Sequence, residues 1–171
     1  ITFHKDDTVS VEPVITKRET IEKLQDNLLM FYTGIKHNAN AILAEQRKSI
    51  VHPDKIKNLL RMCELTKEMK GLLEENNCSG FGKILHENWM LKKELSKSIT
   101  RPDIDDIYDK AIKNGAEGGK LLGAGGGGFL LFYCEKDKHA KLRAALGLEE
   151  FDFRFEHDGT SVVYIGEKYW K

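Results

Sequence analysis

Apolar and polar residues alternate at Ile1-Thr2-Phe3-His4, break at Lys5-Asp6-Asp7-Thr8 and alternate again at Val9-Ser10-Val11. That pattern predicts a β-hairpin. A lone two-stranded ribbon is marginal in water, so the hairpin is expected to belong to a larger sheet. With no initiator Met, the chain reads as a domain cut from a longer protein. Thr16–Gln25, with Ile21 and Leu24 apolar, predicts a short helix. Asn27–Tyr32 is almost wholly apolar and ends at Thr33-Gly34. It reads as a buried strand, although periodicity alone leaves a helix open. Lys36–Ile50 is helical, with Ala39, Ile42, Leu43 and Gln46 on one side. A longer helix starts at Pro53 or Asp54, where Pro is tolerated, and runs to about Asn76. After the breaker Asn76-Asn77-Cys78-Ser79-Gly80, another runs from about Phe81 to Ile99 with Ile84, Leu85, Trp89 and Leu95.

Thr100-x-x-Asp103 with Pro102 is a capping signal, and Ile104, Ile107, Tyr108, Ala111 and Ile112 form the cleanest amphipathic face in the chain. Gly115 stops that helix. Two apolar runs, Lys120–Leu122 and Phe129–Tyr133, flank Gly123–Gly128 and predict a second hairpin. Asp137–Leu146 is a short helix closed by Gly147. Phe151, Phe153 and Phe155 alternate as a strand with one buried face. His157-Asp158-Gly159-Thr160 reads as a turn and Ser161–Ile165 as a last strand. Sheet-forming segments far apart, with helices between them, predict an α+β fold: a largely antiparallel sheet with helices packed on one face.

Eight of the fifteen glycines lie between Gly115 and Tyr133. Glycine accepts positive φ cheaply, and successive loop amides can converge on one anion. The loop Gly123, Ala124, Gly125, Gly126, Gly127, Gly128 is therefore a candidate phosphate cradle. Its plainer reading is a tight turn whose glycines serve packing. The spacing Gly123-x-Gly125-x-x-Gly128 matches a dinucleotide fingerprint by letter, but that motif opens a helix and Phe129–Tyr133 is strand-like. A Walker A loop ends in Gly-Lys-Ser/Thr, whereas Phe129 follows Gly128. No V-A-I-K, H-R-D or D-F-G accompanies the loop as in a protein kinase.

Lys+Arg and Asp+Glu number 27 each. The zero balance argues against nucleic acid or an anionic membrane as the main partner. No apolar run approaches the roughly 20 residues of a membrane span, and no signal peptide is visible. Cys63, Cys78 and Cys134 are odd in number and far apart, which predicts free thiols in a reducing cytosol. His86-Glu87 lacks the second histidine of a zincin, since Met90 stands there. No histidine spacing suggests a metal site. Cys134 reads as a core thiol. The Asp103, Asp105, Asp106, Asp109 cluster complements a helix dipole, and Lys92-Lys93-Glu94 reads as a solvated helix face. Lys120 enters the glycine loop, either to meet a phosphate or as an ordinary strand-edge lysine.

Gly115-Ala116-x-Gly118-Gly119-Lys120-Leu121-Leu122-Gly123-Ala124-Gly125-Gly126-Gly127-Gly128-Phe129 resembles the third motif of the galactokinase, homoserine kinase, mevalonate kinase and phosphomevalonate kinase (GHMP) superfamily. Tyr32-Thr33-Gly34, Leu85 to Trp89, Lys92-x-x-Leu95-Ser96 and Ile104-Asp105-x-Ile107-Tyr108-x-x-Ala111 resemble its heptose 7-phosphate kinase branch. Fucose kinases share much of this pattern. The resemblance implies a ferredoxin-like C-terminal domain over residues 17–171, with residues 1–16 a hairpin left from a missing N-terminal domain. It implies ATP and Mg²⁺ as cofactors of the full-length protein, and transfer of the γ-phosphate to a sugar hydroxyl, the anomeric one of a heptose phosphate. The cofactor-binding residues are then Gly123 to Gly128, and the substrate-binding residues Lys120, Thr33, Gly34 and His37. The superfamily's P-x-x-x-G-L-G-S-S-A loop and the segment with its usual catalytic Asp are absent from this chain, so the fragment alone is expected to be inactive. His37 stands where the branch carries Arg. The competing reading is a stand-alone binding or regulatory module on the same fold.

Overall fold

The computed structural model describes residues 1–156 and 159–162. Its elements are β1 (Thr2–Phe3), β2 (Val9–Ser10), α1 (Arg18–Asp26), β3 (Leu28–Tyr32), α2 (Ala39–Ser49), α3 (Pro53–Glu74), α4 (Phe81–Lys93), α5 (Pro102–Lys113), β4 (Ala116–Leu121), β5 (Phe129–Cys134), α6 (His139–Leu146) and β6 (Glu150–Phe151). β3 to β6 form one sheet in the order β4-β5-β3-β6, every pairing antiparallel. From β3 onward the element order is β, helices, β, β, α, β. With that strand order, this is the ferredoxin-like split arrangement.

The register follows from the apolar pattern. Leu29 faces Phe132 and Phe31 faces Leu130 across β3 and β5, and all four are buried on one face of the sheet. Side chains alternate between faces along a strand, so Leu28 and Tyr133 occupy the other face, with Leu24, Cys78, Phe81 and Leu85. On the first face α5 contributes Ile104, Tyr108 and Ala111, and α6 contributes Leu142 and Leu146. Pro102 opens α5, but Arg101 takes the N-cap position and makes no side-chain cap. Thr100 Oγ1 instead donates to Asp105 Oδ1 at 3.0 Å. The expected capping box is thus replaced by a side-chain hydrogen bond from the residue before the N-cap to Asp105.

α4 runs against the outer strand β4. Gly82 of the helix and Gly118 of the strand bring two backbones into contact: a Cβ on Gly118 would overlap the Gly82 carbonyl oxygen, and one on Gly82 would come 2.5 Å from Glu117 Cβ. Trp89, two turns further along α4, is fully buried and packs on Tyr108 with ring centroids 6.1 Å apart.

Several boundaries differ from the sequence pattern. α4 stops at Lys93 rather than Ile99. Leu95 and Ile99 still reach the core, but through a turn in which Ser96 Oγ donates to Glu45 Oε1 at 2.6 Å. α2 begins at Ala39, where Asn38 Oδ1 caps the Ala41 amide. β6 is two residues long, and Phe151 and Phe155 remain 38% and 37% exposed. The strand expected through Phe155 therefore ends early, because its pairing with β3 stops at Phe151. The turn at His157–Thr160 and the closing strand Ser161–Ile165 fall partly outside the described residues. The opening hairpin is a separate two-stranded sheet, with Ile1, Phe3 and Val11 exposed.

The glycine contact between α4 and β4 predicts that Gly118→Ala lowers stability by about 3 kcal/mol, the upper range for overpacking. In a chain of this size that is roughly 6–12 °C in melting temperature. Gly71 lies inside α3 with open space where its Cβ would be. Gly71→Ala is expected to raise stability by about 0.5–1 kcal/mol. Thermal denaturation of both variants checks the pair: equal shifts would mean the α4–β4 contact is looser than described.

Candidate functional site

The Gly123–Gly128 loop joins β4 to β5 and folds back onto two other segments of the chain. The Gly126 amide donates to Ile99 O at 2.8 Å, and the Gly128 amide donates to Ile35 O at 3.0 Å. Gly128 O accepts twice from Thr33, from its amide at 2.9 Å and its hydroxyl at 2.8 Å. Gly125 and Gly126 have φ of +113° and +76°, values costly for any residue with a Cβ. A Cβ on Gly125 would also stand 2.7 Å from Ile99 O, and one on Gly126 2.5 Å from Ile42 Cδ1. Gly125 is therefore required by close packing of backbone on backbone, and Gly126 chiefly by its positive φ, since the atom it would meet is the end of the Ile42 side chain.

That geometry corrects the expectation of a run of bare amides. Gly125, Gly126 and Gly127 are buried, and two of the loop's amides already serve internal carbonyls. Gly123, at the loop's entrance, is exposed. Its φ is +72° and nothing lies within 4 Å of its would-be Cβ.

Thr33, Gly34 and His37 come together with the loop, although they lie far from it in sequence. Thr33 is buried and its hydroxyl also accepts from the Ile35 amide at 3.2 Å. Gly34 turns the chain at φ +74°. His37 is exposed and lies along the loop, its Nδ1 3.1 Å from where a Gly127 Cβ would be and its Cε1 3.6 Å from a Gly128 Cβ. Lys120 does not join this cluster through a direct bond. Its Nζ donates to Asn88 Oδ1 of α4 at 3.1 Å, and burial pushes its ammonium pKa down.

Lys92 is the residue that the sequence pattern misjudges. It is half-buried, and its Nζ donates to Gly123 O at 2.7 Å and to Leu121 O at 3.4 Å. Burial, with the nearby Lys120 charge, pulls its pKa down to about 8. Lys93 is not solvated either: it pairs with Asp105 at 3.0 Å and lies 5.9 Å from the Trp89 ring centre. A charged residue in the last turn of a helix looks the same in sequence whether it meets water or a carbonyl. Lys92 lies in the last turn of the helix that runs along β4, an end that its sequence, apolar at helical spacing through Ile99, does not mark.

The remaining candidates are structural. Cys134 is buried, donates to Gly115 O and has its thiol pushed up to about 11 by burial, as a core thiol should. His86 Nδ1 meets Tyr108 OH at 2.9 Å, while Glu87 pairs with Arg61. Asp103 pairs with Arg101. Among the described residues no group of three or more His, Cys, Asp or Glu stands ready to hold a metal ion, and no helix is long and apolar enough to cross a membrane. A cavity of about 680 Å³ opens toward the start of β3, lined by Leu28, Met30, Arg143 and Glu150 among others. None of the loop residues borders it.

Residues 69–151 match the family described as GHMP kinases C terminal. The chain is 28% identical over 161 residues to the D-glycero-alpha-D-manno-heptose 7-phosphate kinase of Campylobacter jejuni, covering 92% of this chain and 48% of that one. It is 33% identical over 126 residues to the L-fucokinase/L-fucose-1-P guanylyltransferase of Bacteroides fragilis, covering 72% of this chain and 13% of the relative. Among solved structures, the mevalonate kinase of Methanococcus jannaschii superposes with a TM-score of 0.59 at 28% identity, over 82% of this chain and 43% of that one. The chain thus spans about half the length of the heptose kinase it matches, and far less of the bifunctional enzyme.

Lys92 yields a pH prediction. Its folded pKa, about 8, lies below the ordinary 10.5. Between those values the unfolded chain holds a proton that the folded chain has released, so this side chain's contribution to stability rises with pH across that window. Cys134, with its raised pKa, acts in the opposite direction but is common to both proteins compared. Lys92→Met is expected to remove the rise, seen as a wild-type-minus-variant stability difference that changes between pH 8 and 10.5 in urea melts. A difference flat in pH would place Lys92 in solvent.

Proposed function

We propose, on the premise that residues 69–151 match the family described as GHMP kinases C terminal, that this chain is the C-terminal domain of a sugar or sugar-phosphate kinase. The reaction is transfer of the ATP γ-phosphate to a sugar hydroxyl, with the anomeric hydroxyl of heptose 7-phosphate the leading candidate. The observation that carries this reading is the convergence of Thr33–His37 with Gly123–Gly128. Two segments with kinase resemblances, remote in sequence, build one surface with Gly34, His37 and Gly123 exposed upon it. The heptose kinase likeness over 92% of this chain supports the same class of substrate.

Phosphoryl transfer asks a protein chiefly to position reactants and to stabilise charge. In this reading the loop is a rigid floor, since its inner amides are fixed on Ile35 O and Ile99 O, and the outer amides near Gly123 orient the substrate. Lys120 supplies positive charge and His37 contacts the sugar phosphate. His37, in place of an arginine, offers at most two donors against five, which loosens selection for a 7-phosphate. ATP and Mg²⁺ are assigned to an N-terminal half carrying the phosphate loop and the catalytic Asp. The opening hairpin with its exposed Ile1, Phe3 and Val11 is the segment proposed to pack on that half. A cytoplasmic location is part of the same proposal, and the free cysteines support it.

A second reading, a non-catalytic binding module, draws on the internal use of the Gly126 and Gly128 amides. An in-frame P-x-x-x-G-L-G-S-S-A upstream in the gene favours the kinase, and a stop codon before Ile1 favours the module. The functional test is ADP release with a panel of sugars and sugar phosphates. The complete gene product is expected to turn over at least one of them, and this chain alone none. Turnover by the chain alone would contradict the split of roles, and a complete protein inert on the whole panel would contradict the kinase.

A further inference from the structure

The contact of Gly82 with Gly118 lays α4 directly on β4. It sets Asn88 and Lys92, one helical turn apart and so on one helix face, beside Lys120. Lys120 in turn lies two residues beyond Gly118 on the same face of the strand. Lys92 and Lys120 are both half-buried and close enough for the charge of one to act on the other. No carboxylate lies within ion-pair distance of either among the described residues, whereas the half-buried cations Arg61, Lys70 and Lys93 are paired; Lys55, also half-buried, bonds the Glu94 carbonyl instead. Two like charges taken partly out of water with no counter-charge are unfavourable in the free protein. Such an arrangement is a candidate anion site.

The donors fit one chemistry. An ammonium has three N–H groups. Lys92 uses two on Leu121 O and Gly123 O, and Lys120 uses one on Asn88 Oδ1. One N–H of Lys92, two of Lys120 and the Asn88 amide N–H groups remain. Lys92 Nζ lies 2.7 Å from Gly123 O, at the exposed entrance of the loop.

We propose that Lys92, Lys120 and Asn88 form a phosphate-binding site in the groove between α4 and β4, which receives the phosphate of a phosphoester ligand at the entrance of the glycine loop. The site deepens the kinase reading by naming where this domain holds a reactant's phosphate. Lys92 is the joint between the two: the ammonium that takes the phosphate also holds the Gly123 carbonyl, so ligand and loop entrance are coupled through one side chain.

The test needs no turnover, so its outcome is separate from that of the kinase assay. Lysine side-chain resonances of the isotopically labelled chain are followed by NMR during titration with inorganic phosphate, against chloride at matched ionic strength. The Lys92 and Lys120 signals are expected to move saturably with phosphate alone, and the Lys92 titration midpoint to rise from about 8 toward 10.5. Lys120→Met, which leaves the loop contacts intact, is expected to weaken phosphate binding by at least about tenfold. Lys110→Met, an exposed lysine on α5, should not. A hexose 6-phosphate and a non-hydrolysable ATP analogue then compete with phosphate. Displacement by the first identifies a sugar phosphate as the source, and displacement by the second a nucleotide. The proposal is overturned if chloride moves the same signals equally, if Lys120→Met binds phosphate as the wild type does, or if neither phosphoester competes.

Discussion

The whole arrangement depends on how closely backbone can approach backbone around the glycine loop. Ile35 O and Ile99 O each take an amide from the loop, and Gly128 O takes two donors from Thr33. Those bonds tie three segments to one another: the end of β3, the turn after α4 and the β4–β5 connection. Side chains would prevent it, since a Cβ on Gly125 would press on the Ile99 backbone. Glycine here is first a packing requirement and only then an opportunity for ligand chemistry, which remains at the exposed entrance near Gly123.

The second close approach, Gly82 on Gly118, sets the position of α4 and through it the electrostatics beside the loop. Because the helix lies so near the strand, Lys92 reaches the carbonyls of Leu121 and Gly123, while Lys120 reaches back to Asn88. Burial in that groove, rather than a carboxylate partner, governs the charge state of both lysines. The same backbone contact that stabilises the edge of the sheet thus concentrates positive charge at the loop's mouth.

Much of this was legible in the residues. The hairpin around Gly123–Gly128 followed from apolar runs on either side of a glycine cluster, and α5 from an apolar face whose Ile104, Tyr108 and Ala111 are 1% exposed or less. The end of α4 was not legible, because Leu95 and Ile99 keep helical spacing while the chain leaves the helix to offer Ile99 O to Gly126. The Phe151, Phe153, Phe155 alternation overstated β6, because alternation records which residues are apolar and not whether a partner strand continues beside them. The meeting of His37 with Gly126–Gly128 has no local signal at all. Lys92 was misread because helix-face lysines carry no mark of what their ammonium touches.

The central claim is that the loop is pinned from within at Gly126 and Gly128 and open at Gly123. Residue-resolved amide hydrogen exchange on the chain tests it most directly. The account predicts strong protection of the Gly126 and Gly128 amides, close to that of β5, with Gly123 exchanging near the rate of a solvated amide. Uniform fast exchange from Gly123 to Gly128, or protection strongest at Gly123, would contradict it.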